Sequence, residues 1–199
     1  MLFVVSGPSG CGKSTLIQRV LEDVADVHFS VSHTTRIKRG PEVEGKDYYF
    51  VPKEEFLKMA KTGKFVEWAE VHGHCYGTSQ KEIARKSSSG DLVLDIDVQG
   101  ARQVKKKFKK VVFIFVIPPE FKELKRRLEK RGQDNPAAIA KRLENARREI
   151  RAYPEFEYLV VNDDLERAAE DLKSIILASR CRLESRKPEL QSILQSFSK

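Results

Sequence analysis

Nowhere in the 199 residues does an apolar run approach the roughly eighteen that a membrane-spanning helix needs, so the chain reads as soluble. The apolar stretch LFVV near the amino end is only four residues long and runs straight into a glycine-rich loop. It does not read as a secretory signal, and a cytoplasmic location is the expectation. Cysteine is scarce as well: Cys11, Cys75 and Cys181 are odd in number, far apart and without metal-ligand spacing. That excludes a disulfide framework or a cysteine-ligated zinc site and fits free thiols in a reducing compartment, none of them placed for catalysis. Internal repeats and low-complexity linkers are also missing, since KSSSG at Lys86–Gly90 is only a short turn.

What is present is globular. With 40% hydrophobic and 33% charged residues, this length suits one domain, or one core carrying a smaller insertion. The net charge of +8 is unevenly spread: between Glu120 and Arg151, eleven Lys/Arg oppose six Asp/Glu. A local basic excess points to an anionic small molecule. Nucleic acid is not the expected partner, because no aromatic-studded basic sheet or recognition helix accompanies the charge. The run KKKFKK, Lys105–Lys110, reads as a solvated helix face.

The runs LFVVS, DLVLDID, VVFIFVI and EYLVV are short, β-branched and nearly continuous, as strands buried on both faces should be. The helical stretches STLIQRVLEDV, QGARQVKKKF and PEFKELKRRLEKR alternate with them, which predicts an α/β fold with a parallel sheet flanked by helices. Residues 31 to about 83 break the alternation: DYYFV and KFVEWAEV read as strands around an amphipathic helix, KEEFLKMAK, and form an insertion. A charged helical hairpin spans about Lys125–Arg151 with a bend at GQDNP. The stretch LERAAEDLKSIILASRCRLE reads as a closing amphipathic helix, and the final PELQSILQSFSK has no assigned role.

Between the first strand and the first helix lies SGPSGCGKST, in which Gly7, Gly12, Lys13 and Ser14 satisfy G-x-x-x-x-G-K-[ST]. Glycines allow positive φ and turn backbone N–H groups into one cavity, and the helix that follows adds its positive end. The loop as a whole, Gly7, Pro8, Ser9, Gly10, Cys11, Gly12, Lys13, Ser14 and Thr15, is therefore the expected cradle of a nucleoside triphosphate. Lys13 is expected on the β- and γ-phosphates and the Ser14 hydroxyl on Mg²⁺. Within the insertion, SVSHTTRIKRGPEVEGKDYYF gathers Ser32, Arg36, Arg39 and Tyr48. Two guanidinium forks with neutral hydroxyls are what a second phosphate requires, although a basic surface loop has the same composition.

SGPSGCGKST, VSHTTRIKRGPEVEGKDYYF, FVEWAEVHGHCYGTS, VLDIDVQGA and KRGQDNPAAIAKRL, in this order and spacing, resemble the guanylate kinase family from the first strand to about Asp163. The resemblance implies transfer of the γ-phosphoryl group of ATP to GMP, with dGMP as a further acceptor, in purine nucleotide metabolism. It also implies three parts: a core (1–31, 84–124, 152–199), a GMP-binding insertion (32–83) and a mobile lid (125–151). Arg36, Arg39, Tyr48 and Tyr76 would hold the GMP phosphate with Ser32 close by, and Glu67, Thr78 and Asp97 would meet the guanine. Arg131 and Arg142 would reach the transferring phosphates, and Asn162 and Asp163 would lie near the adenine. Arg126, Arg127, Arg147 and Arg148 have no counterpart and read as solvated charges. A monomer or weak homo-oligomer is the expected state. Cys11, Cys75 and His33 depart from the family's usual residues, and Cys11, at a helix N-terminus, is a candidate for a low-pKa thiol whose modification inactivates.

Two rivals are a phosphate-loop kinase for another small phosphate ester and a non-catalytic guanylate-kinase-like module that binds phosphorylated protein segments. Glu67 and Thr78 speak against the first: a carboxylate accepts guanine's N1 and N2 donors together, while a hydroxyl donates to O6. The intact loop speaks against the second.

Overall fold

The structure is a computed structural model and describes residues 1–130 and 135–197. The chain begins with β1 (Leu2–Ser6), α1 (Lys13–Asp23) and β2 (Val27–Phe29). A second block follows: β3 (Ser32–Thr34), β4 (Tyr48–Phe50), α2 (Lys53–Lys61), β5 (Phe65–Val71) and β6 (His74–Ser79). It then returns through α3 (Gln80–Ser87), β7 (Asp91–Asp95), α4 (Val98–Lys107) and β8 (Val111–Ile117). The last elements are α5 (Phe121–Lys130), α6 (Pro136–Glu149), a 3₁₀ turn at Ile150–Glu155, β9 (Tyr158–Val161), α7 (Leu165–Arg180) and α8 (Leu183–Phe197).

Five strands form one parallel sheet in the order β2-β7-β1-β8-β9. Alternate side chains of β1 go to opposite faces, so this strand feeds two cores. Phe3 and Val5 join Ile114 and Val116 under Leu16, Ile17, Leu172 and Ile176 of α1 and α7. Leu2 and Val4 join Leu92, Leu94 and Phe113 under Ile83, Ala101 and Val104 of α3 and α4. Each side chain so buried contributes about 1.5–3 kcal/mol, and both faces must be apolar for it. The second sheet, order β4-β3-β6-β5, has a small core of its own around Phe56, Phe65 and Cys75. Helices α5 and α6 pack on each other through Leu124, Leu128 and Ala146. The start of α6 is set by Asn135, whose side chain accepts from Ala138 N at 2.8 Å, with Pro136 in the first turn.

Strands β2, β3 and β6 and helices α3 and α8 go beyond the sequence expectation. Of the segment with no assigned role, the described residues up to Phe197 form the second half of α8, where Leu190, Ile193, Leu194 and Phe197 are exposed. The basic run is also more than a solvated face: Lys105 donates to Glu155 O at 2.7 Å and Lys107 to Val66 O. Among the described residues no helix is long and apolar enough to cross a membrane.

Candidate active site

The carboxyl ends of β1, β7 and β9 lie on one edge of the parallel sheet, which is where open α/β sheets present ligand-binding residues. From β1 the chain enters the glycine loop. Gly12, at φ 95°, opens α1, and a Cβ there would lie 2.3 Å from Asn162 Nδ2, so a larger residue would be strained and would displace that amide. Lys13 Nζ donates to Gly7 O at 2.9 Å, bending the side chain back over the loop, and stands 3.8 Å from Asp95 at the end of β7. The Ser14 hydroxyl donates to Asp95 Oδ2 at 2.7 Å, while Thr15 lies on the exposed face of α1. A hydroxyl beside a carboxylate offers the hard oxygen donors that Mg²⁺ prefers. Among the described residues no cluster of three acidic, His or Cys side chains stands ready to cage a metal. The donor set therefore fits a cation that takes its remaining ligands from phosphate and water.

Across a cleft of about 230 Å³ the insertion brings Ser32, Arg36, Arg39, Tyr48, Glu67 and Tyr76 to face Gly7, Lys13 and Ser14; Asp97 and Arg142 line the same cleft. Arg36 is buried and already oriented, its guanidinium gripping Glu42 at 2.6 and 3.0 Å and Ile37 O at 2.9 Å. The Tyr48 ring packs 5.3 Å from the Arg36 guanidinium and 5.9 Å from the Tyr76 ring, and burial pushes the Tyr48 phenol upward. Glu67 is only 3% exposed and accepts from Thr78 N at 2.8 Å; the Thr78 hydroxyl is 3.4 Å from that of Ser32. Burial raises the Glu67 carboxyl to about 7, against the favourable bond from Thr78. Asp97 caps α4, accepting from Gly100 N at 2.8 Å and Gln99 Nε2 at 3.1 Å.

Other expected residues lie elsewhere. Asn162 turns into the phosphate loop, its amide donating to Cys11 O at 2.8 Å, and Asp163 pairs with Arg167. Pro8 shapes the loop by accepting from Cys11 N at 3.2 Å. Arg131 lies outside the described residues. The expectation of a low-pKa Cys11 is overturned: the thiol is fully buried, and burial raises its pKa despite the neighbouring Lys13. Arg127 is not a solvated charge either, since it donates to Asn162 O at 2.9 Å and Cys11 O at 3.3 Å, and Arg147 stacks 4.4 Å from the Phe121 ring.

Three contributors were not singled out from sequence: Glu42, Arg127 and Glu149. Glu149, at the end of α6, reaches back to accept from Ser9 N at 3.3 Å, and burial raises its carboxyl. Only Glu42 left a signal, as the one nearby counter-charge in RIKRGPE.

A glycine cradle at the edge of a parallel sheet, with an arginine-tyrosine pocket opposite, defines a phosphate-loop nucleotide-binding protein of the α/β class. The guanylate kinase family model matches residues 1–179. Over 183 residues the chain is 47% identical to the guanylate kinase of Geobacter metallireducens, covering 92% of this chain and 90% of that one. It is 50% identical to the guanylate kinase of Thermotoga maritima, covering 92% and 88%. The crystal structure of guanylate kinase from Anaplasma phagocytophilum superimposes with a TM-score of 0.76 at 35% identity, over 92% of this chain and 87% of that one. The chain belongs to the guanylate kinase family.

Proposed function

We propose that the protein transfers the γ-phosphoryl group of ATP to GMP, giving ADP and GDP, with Mg²⁺ as the accompanying cation. The observation that carries this reading is the buried Glu67 carboxylate beside Thr78, in the same cleft as Lys13 and Ser14. Guanine offers N1 and N2 donors to one carboxylate, whereas adenine lacks the N1 donor and would leave Glu67 buried and unpaired. Polar readout of this kind rejects the wrong base by about 10⁴-fold.

The acceptor needs no strong base, because the second pKa of a phosphate monoester is about 6 and the attacking oxygen is already anionic. The barrier is the approach of two anions in line. Arg36, held by Glu42, and Arg39 position the acceptor phosphate with Tyr48, Tyr76 and Ser32. Lys13, Arg131 and Arg142 neutralise charge on the moving group, and the loop N–H groups cradle the donor. Ser14, with Asp95 beside it, would hold Mg²⁺, which when bound screens the β- and γ-phosphate charge. The insertion (32–83) and the lid (125–151) close over the core (1–31, 84–124, 152–199) to exclude water. Purified protein with Mg-ATP and a panel of GMP, dGMP, AMP, CMP and UMP tests the reading through ADP formation. Turnover with GMP and dGMP alone is expected; equal turnover across the panel, or none with GMP, would contradict it.

A further inference from the structure

Glu67 faces the cleft because β5 breaks its register. Phe65 pairs with Ser79 and Glu67 with Thr78, so Val66 is an extra residue, a bulge of the kind that re-aims a side chain. Two neighbouring apolar residues thereby enter different cores: Phe65 the one within the insertion, Val66 the one under α4. Helix α4 grips the bulge on both sides of Glu67. Lys107 Nζ donates to Val66 O; Gln103 accepts from Trp68 N at 3.2 Å and donates to Trp68 O at 2.7 Å. Gly100 lies against the carboxylate itself, and a Cβ there would sit 2.4 Å from Glu67 Oε2. Positions 100, 103 and 107 share one helix face.

We propose that this face of α4 determines acceptor specificity: Gln103 and Lys107 are positioning residues that act through Glu67, and Gly100 supplies the space its carboxylate occupies. The proposal rests on Glu67 being the guanine reader. Three main-chain bonds on the two residues flanking Glu67 fix its Cα, and the missing side chain at position 100 fixes how far its carboxylate reaches. Lys107 also favours the ionised form of Glu67. The alternative is a brace that merely ties the insertion to the core.

The discriminating substrate is IMP, which keeps guanine's N1–H and O6 but lacks the 2-amino group. The ratio of kcat/KM for GMP over IMP therefore reports where the Glu67 carboxylate stands. Gln103→Leu is expected to lower this ratio about tenfold, the order carried by one hydrogen bond to a charged group, while the Kd of a non-hydrolysable ATP analogue stays within about twofold. In a Glu67→Gln background the same substitution should lower the ratio no further. An unchanged ratio in Gln103→Leu, including an equal loss with both substrates, overturns the proposal. If Gln103→Leu does not fold, Lys107→Met serves, with Lys107→Arg expected to restore the ratio and failure to move it again decisive. Should Glu67→Gln itself leave the ratio unchanged, the guanine reading fails; a change there but not in the α4 variants removes the positioning role alone.

Discussion

Glutamine at position 67 keeps the shape of the cleft and removes only a charge, so it isolates what burying that carboxylate costs. The folded protein raises the group from the ordinary 4.5 to about 7. The folded state therefore binds the proton more tightly than the unfolded chain, and stability falls as pH rises between those two values. At about 1.4 kcal/mol per tenfold in proton affinity, the full cost is on the order of 3 kcal/mol, reached above about pH 7.5 and absent below about pH 4. Gln retains an oxygen to accept from Thr78 N, so little else is lost. Glu67→Gln should thus be nearly as stable as the wild type at pH 4 and more stable at pH 8, by about 3 kcal/mol or roughly 6–10 °C in Tm. Thermal unfolding of both proteins across that range is the assay, and the difference between them cancels the other titrating groups. A gap that does not widen with pH would refute the claim that the cleft holds Glu67 desolvated.

Under the proposed reading GMP binds the ionised form of Glu67, so its affinity should rise about tenfold per pH unit up to about pH 7 and then level off, with proton release in titration calorimetry; a flat profile would count against the proposed role of Glu67. Arg127→Met removes the bonds to Asn162 O and Cys11 O and should weaken equilibrium binding of an ATP analogue about 10- to 100-fold while leaving GMP binding unchanged. With Cys11 buried and its thiol raised by burial, iodoacetamide on the native protein should modify the exposed Cys181 and leave Cys11 and full activity intact, as peptide mass spectrometry would register.

The parallel sheet was legible because LFVVS and VVFIFVI have no polar face to present, and only burial on both sides suits such runs. Strand β2 was not, since Val27–Phe29 is three residues long with a histidine in the middle, and its pairing with β7 rather than its composition makes it a strand. HCYGTS likewise becomes β6 only through β5 on one side and β3 on the other. Within the site, the loop glycines, Lys13 and the insertion's arginines were visible because their chemistry is local to a short motif. Arg127 and Glu149 were not, because each touches a loop more than a hundred residues away, and helical charges look the same whether they face water or a carbonyl. The bulge at Val66 was hidden for a similar reason: it reflects two cores competing for adjacent apolar side chains.

The proposed reaction requires a triphosphate and a monophosphate held head to head, one by the loop at Gly7–Thr15 and the other by the pocket at Arg36 and Arg39. A crystal structure with GMP and a non-hydrolysable ATP analogue tests it most directly. The GMP phosphate is expected against Arg36, Arg39, Tyr48 and Tyr76, its guanine on Glu67, and the donor phosphates in the loop beside Lys13. GMP bound elsewhere, or its base turned away from Glu67, would contradict it.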